Sequence, residues 1–222
     1  MNMVRTAVAA ALLAAAPGIA SAALTIVTVF SDDFDAENGG AGVLNYGGFA
    51  NWTVSNGTVD LIGNGFIDLL PGHGLYVDMD GSTGDAGRIT SRTFDLVPGE
   101  YQIVLSIAGN QRNADTDTIA VAATLGGIGA SGENTYSMPG DGGFSLFGYG
   151  LTVPAGPSQP MSFYIEGVGG DDVGLLLDSV SLERLVFDTP PSTVPAPASA
   201  GLLAAALGGF SLRRLSRSSR PQ

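Results

Sequence analysis

The sequence predicts an all-β body, two facing antiparallel sheets packed as a sandwich, and three observations carry that prediction. Short runs rich in Val, Ile, Thr and aromatic residues recur between residues 24 and 185, with Gly, Pro, Asn and Asp in the connections. Within the clearest run, Tyr101, Ile103, Leu105 and Ile107 fall on one face and Gln102, Val104 and Ser106 on the other, the period of two that a strand imposes. No body segment keeps an apolar period of 3.6 over a helix length. Glycine, at 33 of 222 residues, is about twice as frequent as usual, which suits many tight connections.

The elements follow in order. Leu24–Phe30 opens the body with Thr, Ile and Val. Trp52–Val54 and Val59–Ile62 flank a Ser55-Asn56-Gly57 turn and predict a hairpin. In Gly74–Met79, Leu75, Val77 and Met79 alternate with Tyr76 and Asp78, so Asp78 and Asp80 are expected to form the polar face, or one of them to cap the following turn. Arg88–Leu96 is followed by the turn Val97-Pro98-Gly99-Glu100 and by Tyr101–Ala108. Ile119–Leu125, Gly143–Val153, Met161–Gly167 and Gly174–Leu185 complete a set of about nine strands. Gly126-Gly127-Ile128-Gly129 reads as a turn or loop, and lacks the lysine of a phosphate-binding loop.

The two ends of the chain have a different character. Residues 1–22 have the build of a secretory signal: Arg5, an apolar run from Ala7 to Ala16, a break at Pro17-Gly18, and the small-residue cleavage site Ala20-Ser21-Ala22. The apolar run is too short to be retained across a bilayer, although a buried N-terminal helix is the other reading. The body is residues 23–188. Residues 189–197 form a Pro/Ser/Thr linker, and 198–222 an apolar run with an arginine-rich tail. Ala198–Leu212 would rise about 22 Å as a helix, short of the ~30 Å hydrocarbon core, so it predicts a short transmembrane helix that snorkelling arginines could extend. Arg213, Arg214, Arg217 and Arg220 mark the cytoplasmic side, which places the body outside the cytoplasm, as the signal segment also requires.

Val194-Pro195-Ala196-Pro197, a short apolar segment and a terminal cluster including Arg213 and Arg214 together resemble the PEP-CTERM sorting signal of Gram-negative bacteria. That motif usually reads Val-Pro-Glu-Pro, and Ala196 stands where glutamate is typical. The resemblance covers about the last 30 residues. It implies recognition by an exosortase-type processing protease, transient residence in the inner membrane, cleavage near the Pro motif, and delivery to the cell surface or extracellular matrix. A plain C-terminal membrane anchor is the alternative.

The composition excludes several functions. The chain has no cysteine and a single histidine, His73, which removes thiolate sites, disulfides, cysteine nucleophiles and multi-histidine metal centres. All 21 acids lie between Asp32 and Asp188, against four of the nine arginines and no lysine, so the body alone carries a net charge of -17. A field of that sign repels nucleic acid and favours divalent cations, neutral ligands or a solvated extracellular surface.

Three stretches of the body resemble jelly-roll modules of the galactose-binding or carbohydrate-binding kind: Leu70-Pro71-Gly72-His73-Gly74-Leu75-Tyr76-Val77-Asp78-Met79-Asp80-Gly81-Ser82, Phe94-Asp95-Leu96-Val97-Pro98-Gly99-Glu100-Tyr101, and Leu176-Leu177-Asp178-Ser179-Val180-Ser181-Leu182. The resemblance spans about 160 residues and implies a jelly-roll sandwich that binds extracellular polysaccharide. In such modules, polar loops contact sugar hydroxyls, which points to Asn110, Arg112, Asp115 and Asp117 after the strand ending at Ala108. Trp52, the only tryptophan, is the candidate stacking platform. Each has a plainer reading, a solvated loop and a core aromatic respectively.

First and last strands commonly lie side by side in jelly rolls, so Asp32, Asp33 and Asp178 could converge on a structural Ca²⁺, which takes hard oxygen ligands only; a solvated acidic loop is the alternative. Asp78-Met79-Asp80-Gly81-Ser82 lacks the later ligands of an EF-hand and is rejected as one. Without a second base, His73 makes no triad. The expected function is that of a secreted, non-enzymatic protein of the cell envelope or exopolysaccharide matrix that binds carbohydrate. A calcium-bridged structural protein and a small secreted hydrolase are the alternatives.

Overall fold

The structure is a computed structural model that describes residues 23–188. The signal cleavage residues Ala20 and Ala22, the motif Val194-Pro195-Ala196-Pro197, Arg213 and Arg214, and both terminal helices expected from the sequence lie outside the described residues.

Twelve strands account for most of the body. They are β1 (Leu24–Asp32), β2 (Trp52–Ser55), β3 (Asp60–Gly63), β4 (Leu75–Asp78), β5 (Arg88–Ser91), β6 (Phe94–Leu96), β7 (Gly99–Ala108), β8 (Thr116–Leu125), β9 (Ile128–Pro139), β10 (Ser145–Val153), β11 (Gln159–Val168) and β12 (Leu176–Phe187). They form two six-stranded antiparallel sheets. The first has the order β10-β7-β12-β4-β3, with β1 also on β12; the second has the order β2-β5-β11-β8-β9, with β6 also on β11. From β10 onward each strand enters the sheet opposite its predecessor, so the connections cross the sandwich. Among the described residues no helix is long and apolar enough to cross a membrane.

The core lies between the sheets and is built by the inward face of each alternation. Ile103, Leu105 and Ile107 of β7 meet Ile119 and Val121 of β8, Phe163 and Ile165 of β11, and Leu177 and Leu182 of β12. Phe30, Trp52, Phe94 and Phe163 form an aromatic group within it, with Trp52 edge-on to Phe163 at 5.4 Å. A second, smaller cluster sits on the outside of the first sheet, where Ile62, Tyr76, Ala108 and Leu176 are covered by Leu69, Leu70 and Phe144. Tyr76 is therefore buried on the face expected to be polar: its hydroxyl accepts from the backbone N–H of Leu69 and Leu70 and donates to Asp68.

Three sequence expectations need correction. Trp52–Val54 and Val59–Ile62 do not pair as a hairpin. β2 pairs with β5 in the second sheet and β3 with β4 in the first, because Gly57 marks a corner between sheets. A Cβ there would lie 2.2 Å from the Asp85 carbonyl oxygen. Second, Ile128–Pro139 is a strand: Gly126 and Gly127, at φ 64° and 73°, make a two-residue turn that pairs Leu125 with Ile128. Third, Asp78 and Asp80 do not face solvent; they are 1% and 2% exposed, covered by the 169–174 segment, whose Gly174 N–H donates to Asp78.

Candidate functional site

The sequence-predicted residues fall into three places. The first is the junction of β1 and β12, which pair antiparallel with Asp32 opposite Val180. Asp32 turns away from its neighbours into the aromatic core. Its Oδ1 accepts from Phe34 N at 3.0 Å, and its Oδ2 from Trp52 Nε1 at 2.9 Å and Asn51 Nδ2 at 3.1 Å. Asp33 stays outside and accepts from Asp35 N. Burial raises the Asp178 carboxyl above the usual range and Asp33 and Asp35 push it further, while His73 and the Ser106 hydroxyl pull it back. His73 Nδ1 lies 3.8 Å from Asp178 and its ring packs on Phe144 at 4.6 Å. Among the described residues no three His, Cys, Asp or Glu side chains stand together in a group able to hold a metal ion.

The second place is the loop after β7. Asn110 is 1% exposed and fully engaged. Its amide donates to Asn113 Oδ1 and Asp117 Oδ2, and its carbonyl oxygen accepts from Arg112 N and Asn113 N. It is the keystone of the loop and has nothing left for a ligand, which corrects its expected role. Arg112 reaches across to the buried end of β4, where Nη2 donates to Asp78 at 2.8 Å and Nη1 donates to the Asp172 carbonyl oxygen. Burial pushes Asp78 up to about 7, against the pull of Arg112. Asp117 is raised by burial, with the Asn110 bond opposing. Asp115 is exposed. Outside this network, Gln111, Arg112, Asn113, Ala114, Gly140 and Asp141 line a shallow hollow of about 460 Å³.

Trp52 is the third place. At 5% exposure, between Phe30, Phe34 and Phe163 and tethered by Asp32, it presents no face to solvent and is a core residue rather than a platform. A strand of four residues in a sandwich has one inward face, and the sole large aromatic on it fills the core.

A site that the sequence did not single out lies on the outer face of the first sheet. The outward residues of β7, β12 and β1 and the neighbouring loop form a groove of about 360 Å³. Its hydroxyls are Ser31, Ser106, Ser179 and Ser181, its acids Asp32, Asp33 and Glu183, and its apolar patches Val104 and the 75% exposed Leu146. Glu183 is held in place by Gln102 Nε2 at 2.7 Å and by the Ser181 hydroxyl. Past that pair, Gln102, Glu100, Gly150 and Thr152 belong to a second hollow of about 540 Å³. Gly148 and Gly150 occupy outward positions on β10, and no atom lies within 4 Å of where their Cβ would be. The alternation in residues 145–153, with Tyr149, Leu151 and Val153 inward, is the sequence signal that marks both glycines as a bare outward stripe.

No protein-family model matches the chain, and no curated protein sequence matches it. Among solved structures the chain is similar to the enzymatically active domain of tailspike protein 4 of bacteriophage CBA120 (TM-score 0.42, 20% identity, covering 64% of this chain and 20% of that one). It is also similar to an isomalto-dextranase of Arthrobacter globiformis T6 complexed with panose (TM-score 0.42, 19% identity, 59% and 22% covered). A third similar structure is TmCBM61 in complex with β-1,4-galactotriose (TM-score 0.42, 16% identity, 62% and 91% covered). The chain spans about a fifth of the length of the first two.

Proposed function

We propose that the body binds a neutral polysaccharide along the outer face of the first sheet and works as a secreted, non-enzymatic protein of the cell envelope or matrix. The observation that carries this reading is the open groove itself. Hydroxyl and carboxylate groups are spaced along it, over a floor of Val104 and Leu146, and the outward Gly148 and Gly150 of β10 leave the neighbouring sheet face bare. Sugar hydroxyls exchange water for such groups, while sugar C–H faces need apolar floor. Asp33 and Glu183, on a body of net charge -17, select against uronate or sulfated chains. No aromatic ring lines the 360 Å³ groove, so the affinity per sugar is modest and a chain of several sugars is the expected ligand.

Gly148→Trp and Gly150→Trp place a ring on this face from Cβ positions that meet no atom within 4 Å. Polysaccharide pull-down and titration should show at least a tenfold loss of affinity in both variants, with Tm unchanged. Absence of binding to any neutral polysaccharide by the parent protein, or undiminished binding in both variants, sinks the reading. The terminal segments serve delivery in this proposal. Mass spectrometry of the mature protein should find an N-terminus near Ala23 and a C-terminus upstream of Ala198; a mature C-terminus at Gln222 contradicts it.

A further inference from the structure

The end of β4 gathers three buried carboxylates around one arginine. Asp60, Asp78 and Asp80 are 3%, 1% and 2% exposed. Asp60 accepts from the N–H groups of Asn45 and Ser82 and from the Ser82 hydroxyl. Asp78 accepts from Asp80 N, Gly174 N and Arg112. Asp80 accepts from Asp171 N through Oδ2 at 3.1 Å, and its Oδ1 is buried with no partner. Arg112 commits its other amino group to the Asp172 carbonyl oxygen. The remaining charges around Asp80 are of its own sign or already paired. Asp171 and Asp172 stand on the segment that covers it, and Asp85 is exposed on the connection from β4 to β5. Asp117 of β8 is bonded to Asn110, and Glu166 of β11 is paired with Arg88. An ionised Asp80 therefore holds a charge out of water with one oxygen unmet, which burial opposes. A proton on Oδ1 removes the charge and leaves Oδ2 to accept from the covering segment.

The 169–174 segment hangs on these same groups. Asp171 N reaches Asp80, Gly174 N reaches Asp78, and the Asp172 carbonyl oxygen receives Arg112. We propose that this segment is a proton-operated latch: with Asp80 protonated it lies closed over the end of β4, and loss of that proton as the pH rises releases it. Burial pushes the Asp80 carboxyl above its usual range, the N–H groups of Asp171 and Gly170 pull it back, and the Asp171 and Asp172 carboxylates push it up again. Burial also raises its neighbour Asp78, to about 7. A carboxyl raised in the folded state binds more protons than it does in the unfolded chain. The closed state is therefore favoured in acid, and the advantage is lost from about pH 4 upward through neutrality. Ionised Asp80 faces Asp171 and Asp172 with like charge and no counter-ion, so the segment that carries them is the part that moves. Opening also withdraws the Asp172 carbonyl oxygen from Arg112, which lines the hollow after β7, so the two loops loosen together.

The test follows amide hydrogen exchange of the full chain, read as protection factors across 169–174, at about pH 5 and about pH 8, with a thermal scan at each. Protection of the segment should fall at least tenfold between the two, and Tm should fall by several degrees. Asp80→Asn keeps an oxygen for Asp171 N and cannot ionise. Its protection should stay within threefold across the range, and its Tm at the higher pH should exceed the parent's. Asp95→Asn removes the same charge from an exposed position and should keep the parent's response, which separates the latch from the general repulsion of the body. Carboxyl ¹³C NMR of the parent reads the Asp80 proton directly, should place its titration clearly above the ordinary aspartate value, and decides the matter if Asp80→Asn does not fold. The proposal is overturned by equal protection at both pH values, by a pH response undiminished in Asp80→Asn or lost in Asp95→Asn, or by an Asp80 carboxyl that titrates at or below the ordinary value of about 3.9.

Discussion

Asp32 and Trp52 belong to one another more than to any surface. The indole N–H has a single outlet from the core, the Asp32 carboxylate at 2.9 Å, and the same carboxylate also receives Asn51 and Phe34. Replacing Asp32 by Ala strands a donor inside the aromatic cluster, and an unmet buried donor costs about 1–3 kcal/mol. Urea unfolding of Asp32→Ala should show a loss of about 2 kcal/mol. If stability is unchanged, Trp52 is not held as described. In the sequence, both residues were candidates for ligands because a lone tryptophan and an aspartate beside a strand read equally well as outward or inward groups. The decision lies in pairing: β2 joins the second sheet, so Trp52 faces Phe163. Asn110 misled for a similar reason, since an amide in a polar loop looks available until its four partners are located.

Elements were legible where one strand carried its own alternation and illegible where partners had to be chosen. Tyr101–Ala108 is such a strand, and it became an interior strand of the first sheet, flanked by β10 and β12. β2 and β3 have four residues each, too few to state a partner, and the Asn56-Gly57 signal describes a corner as well as a hairpin. The β8–β9 hairpin was legible in principle, because two glycines between β-rich runs specify a turn with positive φ at both positions. What hid it was Gly129, Ser131, Gly132 and Asn134, which break the β-rich signal of the second strand. Gly127 isolates that turn chemistry: it sits at φ 73° with nothing within 4 Å of an added Cβ. Its substitution therefore tests backbone strain without a clash. Gly127→Ala should cost about 1 kcal/mol and Gly127→Asn clearly less, because Asn tolerates the left-handed region. Chemical denaturation of the pair checks this, and equal losses would show that strain is not what the glycine relieves.

At the scale of the whole body, charge opposes the fold that packing builds. Its four arginines are each engaged locally. Arg88 pairs with Glu166 and stacks over Tyr164, Arg112 pairs with Asp78, Arg92 lies 4.6 Å from the Phe94 ring centre, and Arg184 donates to the Pro98 carbonyl oxygen. The surplus of 17 negative charges therefore has no distributed counterweight in the protein. A body of this length has a radius of gyration of about 15 Å. In 0.01 M salt the Debye length of about 30 Å lets nearly all of these charges repel one another, whereas at 0.1 M it shrinks to about 10 Å and only neighbours interact. Unfolding relaxes the repulsion by separating the charges, so screening favours the folded state. In EDTA, which removes any divalent contribution, raising NaCl from 0.01 to 0.1 M should lift Tm by a few degrees. Local ion pairs respond in the opposite sense, since salt weakens attraction too, but there are two Arg–carboxylate bridges among the described residues against the whole surplus. A Tm that falls or stays flat would mean that the attractive pairs outweigh the long-range field, and that the acidity of the body costs the fold nothing at low salt.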